Sequence, residues 1–317
     1  MSIQQQGQSG HTSEVRAKDS SRTALWLGAC GIAVCLVLGT IYYIGAASRD
    51  TDQDVAPTEV REVPVAIIDP AGISVATRIR TPQGYERTRA GLDTYETYTR
   101  NLPVKAHQSP VLLYNGSHKG NQSVHAAVLD LSIGTKDLHQ CADAAMRIKA
   151  DFLRAAGRQA DIHFDLTNGH RIDYSKWREG YRINVQGNKT EWVLEEQPSD
   201  SERVYWQYLE LIFTYAGTLS LSRELEPAPL SSLSAGHLWL QGGSPGHAVL
   251  VLDECMHSAS GEKLYLLAQS YMPAQEMHIL INVNEPDISP WYRAPAGTTM
   301  STPEWTFGTT DLYYFVR

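Results

Sequence analysis

The chain has 317 residues, of which 42% are hydrophobic and 20% charged, and its formal net charge is −8. This length is enough for one large domain or two small ones, and the composition is that of an ordinary globular protein. The negative charge disfavours nucleic acid as the main partner, because binding phosphates needs a basic face.

The first 64 residues predict a membrane anchor rather than folded structure. Residues 1–23 are polar and predict a disordered tail. Residues 24–47, ALWLGACGIAVCLVLGTIYYIGAA, carry no charge. As a helix they would reach about 36 Å, enough to cross a hydrocarbon core of about 30 Å. Residues 48–64 are charged, contain two prolines and predict a linker.

The charges around this apolar segment predict its orientation. Basic residues precede it and mostly acidic residues follow it, which places the N-terminus in the cytoplasm. We therefore expect a single-pass protein of the inner membrane with residues 65–317 as a periplasmic, extracytoplasmic domain. Because organellar targeting signals are absent, a bacterial envelope protein is the expected class. A cleaved signal peptide is the alternative, although its apolar core is usually shorter.

Helical spacing of apolar residues predicts three helices in the domain. The first lies within residues 91–102 and is stopped by Pro103. The clearest, over residues 137–157, has Asp137 as its cap and Gln140 as the partner in a capping box. The third covers residues 199–217, with a capping box of its own formed by Ser199 and Glu202.

Alternating or continuous apolar runs predict strands, most of them late in the chain. They are expected at residues 110–114, 124–134, 161–174 around an Asn-Gly turn, 237–241, 247–253, 263–269 and 277–283. Residues 175–198 fit no clear pattern, and residues 289–317 predict a loop closed by a short strand. Early helices and late antiparallel strands indicate an α+β fold.

Cys141 is the candidate nucleophile. It falls on the first turn of the helix over 137–157, where backbone amides and the helix dipole favour an anion. Such a position is expected to lower the pKa of the thiol, and the thiolate is the reactive form. The oxyanion donors would be the Cys141 amide and Gln140.

His247 is the candidate base, because it opens a strand directly after the glycine-rich turn of residues 242–246. If Asp253 pairs with Lys263 in the following hairpin, His247 lies opposite Gln269 on one face of the sheet. The Gln269 carbonyl would then hold the imidazole in one tautomer. Asp253 is the alternative orienting residue, although it lies about 20 Å along the strand.

Structural interpretations of the same residues stay open. Cys141 lies on an apolar helix face and is equally consistent with the core, and in an oxidising compartment it would be able to pair with Cys255. His247 would be a buried structural histidine. Asp161, His163 and Asp165 share a strand parity that would suit a metal, but no metal-binding motif accompanies them. We predict neither a metal nor a cofactor.

Several blocks of sequence resemble a family of bacterial envelope proteins known as domain of unknown function 4846. They are GYERT, RNLPVKAHQSPVLLYNG, DLHQCADAAMRIKADFL, TNG, YAGTLSLSREL, GGSPGHAVLVLD and LLAQSYMPAQ. The resemblance covers most of residues 75–317 and implies no established activity.

A second resemblance concerns the late strands, AGHLWLQGGSPGHAVLVLD and KLYLLAQS, which are similar to the core of NlpC-type cysteine peptidases. It implies a papain-like core, a helix packed on an antiparallel sheet, with Cys141 as nucleophile, His247 as base and Gln269 as orienting residue. His237 stands where that family has an aspartate. The interval between Cys141 and His247 is longer than usual, which predicts insertions.

Two hypotheses follow. The first is a membrane-anchored thiol hydrolase or transferase acting on amide bonds, with cell-wall peptides as the leading substrate class. The second is a non-catalytic envelope binding or scaffolding domain of the same fold, whose aromatic residues line a ligand groove.

Overall fold

The computed structural model describes residues 66–92 and 94–316, and these form an α+β fold, as predicted. The predicted tail, membrane span and linker, residues 1–64, lie outside the described residues. Within the described part, no helix is both long enough and apolar enough to cross a membrane.

The helices of the described part are short except for two. Their bounds are α1 Val75–Arg78, α2 Tyr95–Arg100, α3 Cys141–Ala155, α4 Tyr174–Arg178, α5 Glu202–Tyr215 and α6 Thr218–Glu224. The strands are β1 Tyr85–Arg87, β2 His125–Val128, β3 His163–Asp165, β4 Arg171–Asp173, β5 Tyr181–Gln186, β6 Lys189–Leu194, β7 Glu226–Pro227, β8 His237–Gln241, β9 His247–His257, β10 Lys263–Gln269, β11 His278–Leu280, β12 Trp291–Arg293, β13 Thr299–Ser301, β14 Thr306–Gly308 and β15 Leu312–Tyr314.

The central sheet is antiparallel and runs in the order β2–β11–β10–β9–β8–β15–β7. β1 pairs with the end of β9, and β12 pairs with the beginning of β10. Strands β8 to β11, which are consecutive in the chain, are neighbours in the sheet, so the predicted series of late strands is confirmed. The hairpins β3–β4, β5–β6 and β13–β14 lie outside this sheet.

Strand β9 is buried on both faces, which explains its nearly continuous apolar sequence. Ala248, Leu250 and Leu252 pack into the larger core, which also contains the apolar face of α3. Val249 and Val251 point into a second apolar cluster. His247, the first residue of this strand, therefore lies where both clusters end.

The beginnings of both long helices differ from prediction. Gln140 is the N-cap of α3, and its amide donates to Asp143 Oδ2 at 2.9 Å. The predicted cap, Asp137, instead accepts a hydrogen bond from the amide of Ala274. Helix α5 begins after Ser201, whose hydroxyl accepts from the third amide of the helix, so the predicted box of Ser199 and Glu202 is wrong. A serine of equal capping strength two residues later explains the error.

The predicted strand over residues 110–114 forms only isolated bridges. Two of its amides are taken by side chains, since Val111 donates to Gln122 Oε1 and Leu112 donates to Glu276 Oε2. These bonds replace a strand partner. The first predicted helix is also shorter than expected, because it begins after Thr94 and leaves Leu92 exposed.

Candidate active site

Cys141 and His247 line the same cleft, which has a volume of about 680 Å³. Its walls come from the beginnings of α3 and α6, residues 243–246 of the glycine turn, residues 271–272 and Trp305. The two predicted site residues are a hundred positions apart in sequence, and folding brings them to one surface opening.

The glycine turn permits close contact with α6. A Cβ at Gly246 would lie 2.4 Å from Thr218 Oγ1, and one at Gly242 would lie 2.1 Å from Ser222 Oγ. The Thr218 hydroxyl also donates to the carbonyl of Gly243 at 3.2 Å. The turn therefore fits against the helix only with glycine at these positions, as the sequence pattern indicated.

Cys141 lies on the first turn of α3, as predicted, and is its first residue, since the helix begins later than expected; it is half-buried. Burial raises the pKa of its thiol to about 11. The amides of Ala248, Ala142 and Cys141 itself oppose this shift, because they stabilise the thiolate, while the nearby charge of Asp143 adds to it. The expectation of a lowered pKa is therefore wrong, because loss of solvent outweighs the helix amides.

The amide of Ala248 places the sulfur of Cys141 beside the residue that follows His247. Tyr271 lies near both groups. Its ring centroid lies 4.8 Å from that of His247, and the negative charge of a Cys141 thiolate contributes to raising the Tyr271 pKa, after burial and Glu304.

His247 Nε2 lies 2.8 Å from Gln269 Oε1, and both side chains are almost completely buried. An amide oxygen only accepts, so Nε2 carries the proton of the neutral ring and Nδ1 keeps its lone pair. This is the contact that the sequence led us to expect. The catalytic roles of Cys141, His247 and Gln269 stay a prediction.

The register that produced this expectation is wrong. β9 runs on to His257, so Lys263 pairs with Met256 and Asp253 pairs with Leu266. An irregularity follows, and Ala268 pairs with Leu250. Continuing that pairing by one residue places Gln269 opposite Val249, two residues from His247. The two side chains still share a face because residues two apart on a strand do so, and the contact is diagonal.

Aromatic rings surround the His247 imidazole. The ring centroids of Trp305 and Phe307 lie 5.1 Å and 6.0 Å from it. Trp305 is held in place by donating its Nε1 hydrogen to Gln241 Oε1, and Gln241 is the strand partner of His247. Burial lowers the pKa of His247 to about 4, although the bond to Gln269 opposes the shift. At neutral pH the ring is therefore an uncharged base.

The remaining predicted residues have definite positions. Gln140 lines the cleft, where its side-chain amide donates to Asp137. Asp253, the alternative orienting residue, is bound on both oxygens by Arg87 and Arg100, so its carboxylate pairs with these two arginines and not with His247. Cys141 and Cys255 are both free thiols, so the alternative disulfide is not formed.

The metal interpretation loses its geometric basis. Asp161 belongs to a 3₁₀ turn before β3, so it does not share a strand with His163 and Asp165. Among the residues with described positions, no three histidine, cysteine, aspartate or glutamate side chains are grouped so as to hold a metal ion.

Sequence reasoning missed two charged residues of the site. Glu304 accepts a hydrogen bond from Gln269 Nε2 at 2.7 Å and forms an ion pair with Lys119. Both come from segments without a recognisable pattern, a loop and the C-terminal tail. No signal in the sequence connects them with His247, because the contact exists only in the folded chain.

The family model described as domain of unknown function (4846) matches residues 75–314. No curated protein and no solved structure matches the chain. The matched range contains the cleft and every candidate residue, including Cys141, His247 and Gln269. The chain belongs to the family called domain of unknown function (4846).

Proposed function

We propose that this protein is a thiol hydrolase or transferase that acts on amide bonds, with cell-wall peptides as its substrate class. In this proposal the described domain has a papain-like core and is held in the bacterial envelope by the apolar segment of residues 24–47. One observation carries the proposal: Cys141 begins a helix in the cleft that also contains His247, whose Nε2 is bound by Gln269.

The reaction begins with both groups neutral. The Cys141 thiol gives its proton to His247 Nδ1 while the sulfur attacks the carbonyl carbon of the amide. The C–N bond then breaks, and the proton on the imidazolium passes to the departing amine. Water releases the acyl group from the thioester in a hydrolase, whereas an amine of a second substrate accepts it in a transferase.

Backbone amides supply the electrostatic part of the reaction. In this proposal the amide of Cys141, which lies close enough to its own sulfur to stabilise the thiolate, and the Gln140 side chain donate to the carbonyl oxygen as it gains negative charge. Because the Gln140 side chain donates to Asp137, it would have to turn towards the substrate. Preorganised donors of this kind stabilise the tetrahedral intermediate.

The proposal is tested with the full-length protein in detergent and soluble cell-wall stem peptides. We expect new amine and carboxylate ends, detected by mass spectrometry, and a loss of at least about 10³-fold in Cys141→Ala and His247→Ala. Cys255→Ala is the matched control, since that thiol lies on β9 away from the cleft and should leave turnover unchanged. Equal turnover in wild type and Cys141→Ala would refute the proposal.

The raised pKa of Cys141 favours a second candidate, a binding domain whose cleft holds an envelope ligand without cleaving it. In that case stem peptides bind to wild type and to Cys141→Ala with equal affinity, and no peptide is cleaved. Trp305→Ala would weaken the binding in that case, because the ring forms one wall of the cleft.

A further inference from the structure

The orientation of the Gln269 side chain is determined by its second partner. Its Oε1 faces His247 at 2.8 Å, and its Nε2 donates to Glu304 Oε2 at 2.7 Å. Gln269 is 1% exposed, so water does not compete for either end of the amide.

Glu304 is itself fixed by Lys119. The ammonium group forms an ion pair with Glu304 Oε1, which leaves Oε2 for Gln269. The two side chains are 8% and 16% exposed. The backbone of Lys119 is anchored as well, since its amide donates to the carbonyl of Val111 at 2.9 Å. The contacts therefore run from Lys119 through Glu304 and Gln269 to His247.

The donors and acceptors of these side chains fix the direction of each hydrogen bond between Glu304, Gln269 and His247. A carboxylate only accepts, so the NH₂ group of Gln269 must face Glu304 and its oxygen must face His247. That oxygen requires a proton on Nε2 of the neutral imidazole. If the Gln269 amide turned round, its NH₂ group would donate to Nε2, which would need a lone pair there, and the proton of the neutral ring would move to Nδ1.

We propose that Glu304, supported by Lys119, is a positioning residue that fixes the tautomer of His247 through Gln269. A proton on Nδ1 would remove the lone pair that accepts the proton of Cys141. The catalytic meaning of the tautomer rests on the proposed function, but the tautomer itself does not.

The test is NMR of the full-length protein labelled with ¹⁵N-histidine, with the His247 signal assigned by its loss in His247→Ala. We expect the Nε2-protonated tautomer in wild type and a mixture of tautomers in Glu304→Leu. Glu304→Gln has one oxygen for two donors; the charged Lys119 takes it, so the new NH₂ group faces Gln269, turns that amide round and favours the Nδ1-protonated ring. Glu202→Leu, which removes the ion pair between an exposed glutamate on α5 and Arg154, is the matched control and should change nothing.

A second variant controls for misfolding that an unpaired Lys119 would cause in Glu304→Leu. The double variant Lys119→Met with Glu304→Leu replaces the ion pair by apolar groups of similar size, which is often close to neutral for stability. It should show the same mixture of tautomers. An unchanged Nε2-protonated ring in both leucine variants, or an Nδ1-protonated ring in wild type, would overturn the proposal.

Reactivity separates this inference from the proposed function. If both hold, Glu304→Leu lowers the rate of stem-peptide cleavage by about 10- to 100-fold, as loss of an orienting partner typically does. If Glu304→Leu changes the tautomer but the Cys141 and His247 variants cleave peptides as fast as wild type, the positioning role of Glu304 stands and its catalytic role is refuted.

Discussion

At single residues, the protonation of His247, the candidate base, is controlled by the side chains that exclude water from its imidazole. His247 is 2% exposed, and burial is the first cause of its lowered pKa. Its neighbours on the cleft side are the rings of Tyr271 and Trp305. Removing one of these rings should therefore shift the pKa of His247 while its hydrogen bond to Gln269 stays in place.

We expect Trp305→Ala to raise the pKa of His247 from about 4 towards its ordinary value of about 6.5, because water reaches the imidazole and stabilises its charged form. NMR titration of the His247 ring measures the shift. Trp192→Ala, on the hairpin β5–β6, is the control and should leave this pKa unchanged. If the Trp305 variant titrates as wild type does, the account of water exclusion is wrong.

At the scale of elements, the glycine turn and helix α6 set the position of His247. The turn leads directly into β9, and its fit against Thr218 fixes where that strand begins. The sequence indicated this contact through the run of small residues, but it did not indicate which element would make it.

Gly246→Ala should destabilise the fold by about 1–3 kcal/mol, the usual range for overpacking a tight contact. The added Cβ would lie 2.6 Å from the carbonyl oxygen of Gly243 and 2.4 Å from Thr218 Oγ1, so the backbone must move. Chemical denaturation gives the free energy of unfolding. Gly297→Ala is the matched control, because no atom lies within 4 Å of its added Cβ. Equal stability of the two variants would contradict the close fit.

Most of the elements that form the cleft were predictable, whereas their exact register was not. The helical period and a thiol on its first turn identified α3, and continuous apolar runs identified β8 to β10. The pairing of β9 with β10 was wrong because β9 runs on to His257, so the turn starts later than Asp253. The contact of His247 with Gln269 survived this error because the irregularity restores the shared face.

Across the whole molecule, Asp253 connects two early elements of the chain, β1 and α2, to strand β9 of the central sheet. It is fully buried on β9 and binds Arg87 of β1 and Arg100 of α2, each through Nε at 2.7 Å. These partners come from a part of the chain more than 150 residues earlier. The sequence could not reveal this cluster, since three charges so far apart carry no common pattern.

Asp253→Ala should cost about 3–5 kcal/mol of stability, because it leaves two largely buried guanidinium groups without their carboxylate. Asp69→Ala removes a carboxylate from a more exposed ion pair with Arg80 and should cost at most about 1 kcal/mol. The free energies of unfolding of the two variants test the comparison. Equal losses would mean that the buried cluster contributes no more than a surface pair.

We propose that Cys141 and His247 form one reactive pair, and the pH dependence of Cys141 alkylation distinguishes such a pair from an isolated thiol. In the ion pair the proton has moved from the thiol to the imidazole, so the ion pair and the neutral pair carry the same number of protons. The ratio of these two forms therefore does not depend on pH between the pKa values of about 4 and about 11. An isolated thiol of that pKa instead gains reactivity about tenfold per pH unit, since only the thiolate reacts.

The measurement is the rate of iodoacetamide labelling of Cys141 in the full-length protein from pH 5 to pH 10, resolved by peptide mass spectrometry. We expect labelling between pH 5 and pH 7 to be faster in wild type than in His247→Ala and to rise less steeply with pH, because proton transfer to His247 adds a thiolate fraction that does not depend on pH, whereas the His247→Ala rate should rise about tenfold per unit. Cys255, a fully buried thiol in the same molecule, is the internal control and should stay unlabelled. Identical steep profiles in wild type and His247→Ala would contradict the account, as would a native Cys141 that does not react at all.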